Sequence, residues 1–391
     1  MFNVGQGDNI LIEFKDNSAA VIDFYFDESL GHLTVPALAY VRAVGINKIR
    51  FVHLSHYDFD HLKGLPDFLS GCASSGIVVD RIILPGMPDQ TSFESRFKSA
   101  LKKEFGRIVR VDSGQEGVDD VFIAEYISKL REYNSILDKV EVSLKKMRLT
   151  KEYAVGIQDL RKKGDDCRLI VFLPSPGKVT SVFGRFNAYV ARLIGTAAYK
   201  SQGVAVAERN PAYVNKNEIS TCLKLQVHGK KLQSALFTGD CLKPDLERML
   251  HEFSGKGVYD DFGPIGSGFV KCSHHGAKSS SSELIWEHFL EDSRQMRVAI
   301  SAGLERYPDP ETLKHIEHGA KSKSGTLEVY STNKDLGFDE SLEKVDLRQK
   351  GLFLTDNVDT GEDYMPVSNG TFAGLEFWLD EENTKRALWK A

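Results

Sequence analysis

Short apolar runs separated by polar, glycine-bearing turns dominate the first part of the chain. Positions 2–4 and 10–14 alternate as short β segments around the turn Gly5-Gln-Gly-Asp8, and 19–24 reads as a further strand with Asp23 near its end. Apolar residues recur at helical spacing over 32–44 (Leu33, Ala37, Tyr40, Val41, Val44), and the pattern stops at Gly45. A largely apolar run at 49–54 then predicts a buried strand, 64–70 a short helix, and 78–84 the next strand, closed by Pro85-Gly86. Strand, helix, strand with polar loops at the strand ends is the logic of an α/β fold.

The middle differs in character. Residues 118–164 are charged and read as helical, with Tyr126, Leu130, Tyr133, Leu137, Val140, Leu144 and Met147 recurring at alternating spacings of four and three. Such a stripe fits a helix packing one face on its own domain, or a projecting arm that serves a homodimer or a protein partner. Beyond it the chain becomes β-rich. Strands are expected at 168–173, at 221–227 and 234–238 as an antiparallel pair, at 269–273 and at 298–301. Further strands are expected at 327–332, 345–347, 352–355 and 372–378, and a polar loop near the site at 201–216. No internal repeat is seen. The expected organisation is one fold in two parts, 1–117 and 165–391, interrupted by the insertion at 118–164.

Composition narrows the class. The 391 residues are 41% hydrophobic and 27% charged, as in an ordinary globular protein. No apolar run of about eighteen residues predicts a membrane span. The start Met1-Phe-Asn-Val-Gly lacks the basic and apolar regions of a signal peptide. Five scattered cysteines (Cys72, Cys167, Cys222, Cys241, Cys272) form no Cys-x-x-Cys pair, so a reduced, cytoplasmic protein is expected. The net charge of −5 lacks the basic excess of a sequence-independent nucleic-acid binder. A local basic groove remains compatible with it, although basic runs such as 98–110 and 144–151 fit solvated helix faces as well.

The chemistry concentrates at strand ends. After the strand at 49–54, the stretch Ser55-His-Tyr-Asp-Phe-Asp-His61 packs His56, Asp58, Asp60 and His61 into six positions. Neutral imidazoles and carboxylates are the groups that hold divalent metals at catalytic sites. Phe237-Thr-Gly-Asp240, Lys271-Cys-Ser-His-His-Gly276 and Tyr307-Pro-Asp-Pro310 each follow a predicted strand as well. Singly, each is weak: a strand-end aspartate is often a helix cap, and a lone histidine is usually a satisfied core residue. Jointly they describe ligands delivered by successive strand ends to one edge of a sheet.

In order, Asn3-Val-Gly-Gln-Gly-Asp8, Ile22-Asp23, Ser55–His61, Thr238-Gly-Asp240 and His274-His-Gly276 resemble the motifs of the metallo-β-lactamase superfamily. More closely, they are similar to the branch that contains the soluble domain of the competence protein ComEC. The resemblance spans most of the chain outside 118–164. It implies a metallo-β-lactamase αβ/βα sandwich with a helical insertion, holding two divalent ions, zinc or manganese. It places His56 and Asp58 on the first metal, Asp60 and His61 on the second, and Asp240 between them. One of His274 and His275 would complete the ligand set of the second metal, and the other would face a substrate phosphate. Asp309 stands where that branch has a histidine near the site, and Asn217 where it has an asparagine–serine pair.

The absent third-motif histidine implies a loosely held first metal, and the aromatic run Phe24-Tyr25-Phe26 implies a bulky wall. So many carboxylates make the ligand set oxygen-rich, which favours harder ions than a histidine-rich set would. The implied activity is phosphodiester hydrolysis by a metal-activated hydroxide, with nucleic acid as the substrate. Asp60 would orient the nucleophile. Lys278, Ser279 and Ser280, with Asn217, would hold the phosphate, although the serine run also fits a helix cap. A small-molecule phosphodiesterase, and a partner-binding subunit of a multi-protein defence or DNA-processing system, are the rival readings.

Overall fold

The computed structural model describes residues 1–86 (apart from 3 and 31), 135–149 (apart from 137), 151–161, 167–185 (apart from 183), 215–227, 233–254, 262–291, 295–302 and 307–332, with the short pairs 353–354, 366–367 and 370–371. Two mixed sheets organise it. The first contains β1 (Ile10–Glu13), β2 (Ala19–Ile22), β3 (Lys48–His53), β4 (Val78–Val79), β5 (Ile82–Pro85) and β6 (Lys151–Ala154). Only the β1–β2 hairpin is antiparallel in it; β2, β3, β5 and β6 run parallel, and β4 lies beside the start of β3.

The second sheet follows the order β14-β13-β12-β11-β10-β9-β8-β7. Its members are β7 (Gln158–Asp159), β8 (Cys167–Leu173), β9 (Cys222–Val227), β10 (Gln233–Phe237), β11 (Phe269–Lys271), β12 (Gln295–Ile300), β13 (Thr326–Ser331) and β14 (Phe353–Leu354). Strands β7 to β10 pair antiparallel, whereas β10 to β14 pair parallel.

The period-two alternation of the strands sorts their side chains into layers. Ala20, Ile22, Phe51 and Ile83 of the first sheet meet Leu169, Val171, Leu223, Leu225, Ala235 and Phe237 of the second in one core between the sheets. Their neighbours Ala19, Val21 and Val52 point the other way, toward helices α1 (Pro36–Ala43) and α3 (Leu65–Ser74). Ile170, Phe172 and Val298 likewise point outward beneath α4 (Lys243–Ser254), α5 (Glu283–Phe289) and α6 (Pro310–Lys321). The result is helix, sheet, sheet, helix: a mixed α/β arrangement consistent with the metallo-β-lactamase fold.

Several boundaries differ from the sequence expectation for local reasons. Helix α1 begins at Pro36, four residues late, because proline fixes the first helical turn; Leu33 is left 78% exposed outside it. The side chain of Asn9 reaches across to accept from Ala37 N at 3.2 Å. The expected strand at 78–84 is two strands, broken at Asp80-Arg81. The expected helical insertion does not run to 164, since Lys151–Ala154 is the edge strand of the first sheet and Gln158–Asp159 that of the second. An edge strand can stay half-exposed and charged, which hid it in the pattern. Within the helix at 138–147, Val140 and Leu144 are buried and Met147 packs on the same helix-side core. The rest of the stripe (Tyr126, Leu130, Tyr133, Leu137) lies outside the described residues, as do 201–214, 345–347 and 372–378. All five cysteines are free and buried. Among the described residues no helix is long and apolar enough to cross a membrane.

His53, fully buried at the end of β3, ties the two sheets together. Its Nδ1 lies 3.2 Å from Ile83 O and its Nε2 2.6 Å from Thr221 Oγ1. A carbonyl only accepts, so Nδ1 carries the proton and Nε2 accepts from the threonine hydroxyl. Burial pushes its pKa from the usual 6.5 down to about 4, against the opposing pull of Asp23. Between those values the unfolded chain binds a proton that the folded one refuses, so stability falls as pH drops through this window. At pH 5 the penalty is about 2 kcal/mol. Urea unfolding at pH 7 and pH 5 is therefore expected to show a smaller acid loss in His53→Gln than in wild type. Equal losses would refute the assignment.

Candidate metal centre

The site forms where the carboxyl ends of β2, β3, β10, β11 and β12 meet, the edge at which parallel strands commonly present ligands. Asp23 follows β2 directly, in the left-handed region at φ 58°. It accepts from Ser55 N at 2.7 Å and from Ser55 Oγ at 2.7 Å, which pins the loop after β3. That loop runs into the single turn α2 (Phe59–Leu62), which carries Asp60 and His61. From the second sheet, β10 ends in Thr238-Gly239-Asp240. Asp240 N donates to Ser220 Oγ at 2.8 Å, and Thr238 Oγ1 donates to Lys271 O at 2.7 Å. Gly239 sits at φ 48°, and a Cβ there would come within 2.5 Å of Ser220 Oγ and 2.8 Å of Ser55 Cβ. Glycine is thus what lets the two halves close on each other. The turn Ser273–Gly276 after β11 holds His274 and His275 at φ 48° and 56°, which brings both residues to this edge, His275 buried and His274 partly exposed.

Four groups converge most tightly. Asp60, His61, Asp240 and His275 each offer a ligand atom, all within 4.8 Å of one another. His61 Nδ1 is 2.8 Å from Asp23 Oδ2, and His275 Nδ1 is 2.9 Å from Ser301 O. Both outer partners are acceptors, so each ring carries its proton on Nδ1 and turns the Nε2 lone pair inward. That is how carboxylate and carbonyl partners orient a metal-binding histidine. The inner atoms His61 Nε2, His275 Nε2, His56 Nε2 and Asp240 Oδ1 are buried without a hydrogen-bond partner. Orphaned lone pairs facing one another are costly unless a cation sits among them. The donor set therefore fits a divalent metal ion.

The charges agree. Burial opposes ionisation of Asp240, yet His275 and His61 hold its carboxyl well below the usual range. Burial likewise disfavours the imidazolium of His61, but Asp240, Asp23 and Asp60 raise its pKa well above normal. Without an ion the carboxylates draw protons onto the imidazoles, and a metal would displace them.

The other anticipated residues are arranged more loosely. His56 Nε2 lies 3.4 Å from Asp58 Oδ2 and 4.0 Å from Asp240 Oδ2. His274 Nε2 lies 3.9 Å from Asp240 Oδ2 and 3.5 Å from Asn217 Nδ2, and its ring is partly exposed. His275, not His274, thus stands with Asp60 and His61. Ser280 Oγ comes within 3.5 Å of His274 Nδ1, whereas Lys278 and Ser279 are exposed. The rest of the serine run is used structurally: Ser281 Oγ accepts from Trp286 Nε1 and Ser282 Oγ donates to Glu247. The Asp309 carboxylate accepts from Glu311 N at 3.0 Å and caps α6, the cap role weighed for strand-end aspartates. The bulky wall is also smaller than expected. Phe24 is fully buried against Phe68 and Phe26 is buried, which leaves Tyr25, packed over Gly7, beside Asp60.

Two lysines escaped the sequence reading. Lys271, 1% exposed at the end of β11, is ion-paired with Asp8 and lies 3.3 Å from Gly239 O. Asp8 in turn accepts from the Ser301 hydroxyl. Lys216 Nζ lies 2.5 Å from Asp58 Oδ1. The position of Lys271 close before the histidine pair was the available signal; Lys216 was marked only as the end of the polar loop expected near the site at 201–216.

Residues 2–128 match the family model described as the metallo-beta-lactamase superfamily, in general a group of metal-dependent hydrolases. No curated protein matches the chain. Among solved structures, the metallo-beta-lactamase fold protein YhfI from Bacillus subtilis is similar at 8% identity and a TM-score of 0.35, over 84% of this chain and 94% of that one. Zn²⁺-bound PqqB from Methylobacterium extorquens is similar at 9% identity and a TM-score of 0.36, over 82% and 84%. Likeness at this level speaks to neither substrate nor metal.

Proposed function

We propose that the chain is a metal-dependent phosphodiesterase acting on nucleic acid, a nuclease of the kind found in the ComEC-like branch. The observation that carries the reading is the convergence of Asp60, His61, Asp240 and His275 with inward, unpartnered Nε2 atoms. A divalent ion held there would bring the pKa of water toward neutrality and take up charge from a phosphoryl oxygen. Asp60, whose Oδ2 lies 3.3 Å from His275 Nε2, would orient the attacking water. His274, partly exposed beside Asn217 and Ser280, would meet a non-bridging phosphate oxygen.

Phe59 supports a nucleic-acid substrate over a small ester. It lies between Asp58 and Asp60 yet is 39% exposed, where a base could stack on it. Of the aromatic run Phe24–Phe26 only Tyr25 stands beside Asp60, so that run does not build the small pocket a small-ester substrate would need.

With Mn²⁺ or Zn²⁺ the purified protein is expected to cleave single- or double-stranded DNA or RNA, and Asp60→Ala to lower the rate by roughly 10²–10⁴-fold. Wild-type protein inert on every nucleic acid and on bis-p-nitrophenyl phosphate, with either metal, would sink the proposal.

A further inference from the structure

The two ends of the centre are engaged unequally. Around Asp60, His61, Asp240 and His275 the inner nitrogens face one another without a hydrogen-bond partner, and the nearest ammonium, Lys271, is paired with Asp8 and stays 4.0 Å from Asp240 Oδ1. His56, Asp58 and His274 form no comparably tight set with Asp240 among the described residues. Instead, one short turn, Lys216–Ile219, places a donor on each of the two outer groups. Lys216 Nζ lies 2.5 Å from Asp58 Oδ1, and Asn217 Nδ2 lies 3.5 Å from His274 Nε2. The turn itself is anchored. Asn215 Oδ1 accepts from Asn217 N at 3.0 Å, and Glu218 is ion-paired with Lys178 at 2.8 Å and Arg185 at 2.6 Å. Lys178 also reaches Asp245 of α4 at 3.4 Å. Yet His56 Nε2 is fully buried and lacks a hydrogen-bond partner, so this end is also built to accept a cation.

We propose that Lys216 is a positioning residue whose ammonium occupies Asp58 and so makes the two metal positions unequal: one divalent ion is held tightly by Asp60, His61, Asp240 and His275, and a second is held weakly by His56, Asp58, Asp240 and His274. The physical reason is competition for one carboxylate. A divalent ion at the outer position must draw on Asp58 while its single negative charge is already balanced, and it must sit beside a fixed positive charge. Removing that ammonium returns the full carboxylate charge to the outer position. Arginine would preserve the competition, since its guanidinium is always charged and pairs readily with carboxylates.

The inference rests on the metal centre proposed above but not on its substrate, and the test reads metal rather than turnover. Protein loaded with excess Zn²⁺ or Mn²⁺ and passed through gel filtration is analysed for bound metal, and the weaker site is titrated by calorimetry. Wild type and Lys216→Arg are expected to retain one equivalent, and Lys216→Met two. The weak-site affinity in Lys216→Met should rise at least tenfold, equivalent to about 1.4 kcal/mol. Lys216 is partly exposed, and circular dichroism would verify that the variants stay folded. Two equivalents retained by wild type, or one by a folded Lys216→Met, would overturn the inference. No retention by any form would overturn the metal centre itself, whereas one equivalent in a protein inert on nucleic acid would overturn only the substrate assignment.

Discussion

Asp240→Asn is expected to remove the tightly bound metal and to lower hydrolysis by roughly 10²–10³-fold. Asp240 stands at the middle of the site. Its Oδ1 lies 3.4 Å from His61 Nε2, and its Oδ2 lies 3.6, 3.9 and 4.0 Å from the Nε2 atoms of His275, His274 and His56. Asparagine matches the shape but replaces a charged oxygen with an amide that would donate toward the imidazole lone pairs or repel the ion. Two measurements check this. Metal analysis should show the variant lacking the ion that wild type retains. Thermal unfolding should show that Zn²⁺ or Mn²⁺ stabilises wild type, by about 2.7 kcal/mol at a hundred times its dissociation constant, and the variant hardly at all. An Asp240→Asn protein with the wild-type metal content and melting response would remove Asp240 from the centre.

The second large effect is on stability. Lys271 and Asp8 are both 1% exposed and paired with each other, and the ammonium is also 4.0 Å from Asp240 Oδ1. Burial would push the lysine pKa down, but Asp8 and Asp240 raise it, so it stays charged. Lys271→Met leaves Asp8 as a buried carboxylate without its cation, a change expected to cost about 3–5 kcal/mol. Asp8→Asn in the same chain removes the stranded charge, so the double variant should recover much of the loss. Urea midpoints for the four proteins, compared at constant m-value, give the coupling directly. A single-variant loss below about 1 kcal/mol would mean that the pair contributes little.

The clusters at 56–61, 238–240 and 274–276 were legible because metal chemistry restricts the residue types allowed at strand ends. What such motifs leave open is orientation. His274 and His275 are adjacent and chemically identical in the sequence. The left-handed turn after β11 and the carbonyl of Ser301 then aim His275 at Asp60 and leave His274 half-open beside Asn217. Asp309 and Asp240 both follow strands as well, but only the fold makes the first a helix cap and the second the centre of the site. Lys216 closes the polar stretch at 201–216 with no motif around it, and its contact with Asp58 spans 158 positions, beyond the reach of any local pattern.

The same division holds for the scaffold. Strands β2, β3, β8 and β12 announced themselves as largely apolar runs, because central strands are buried on two faces, and β9 and β10 by their alternation. Edge strands such as Lys151–Ala154 carry no such constraint and vanished into a helical pattern. By itself, then, the sequence determined the chemical inventory of the site and the strands that deliver it, since burial and ligation both act through residue type. Only the tertiary structure decided which histidine faces inward, which aspartate is a cap, and which lysines balance the carboxylates. Those outcomes depend on distances between groups that become neighbours when the two sheets close on each other.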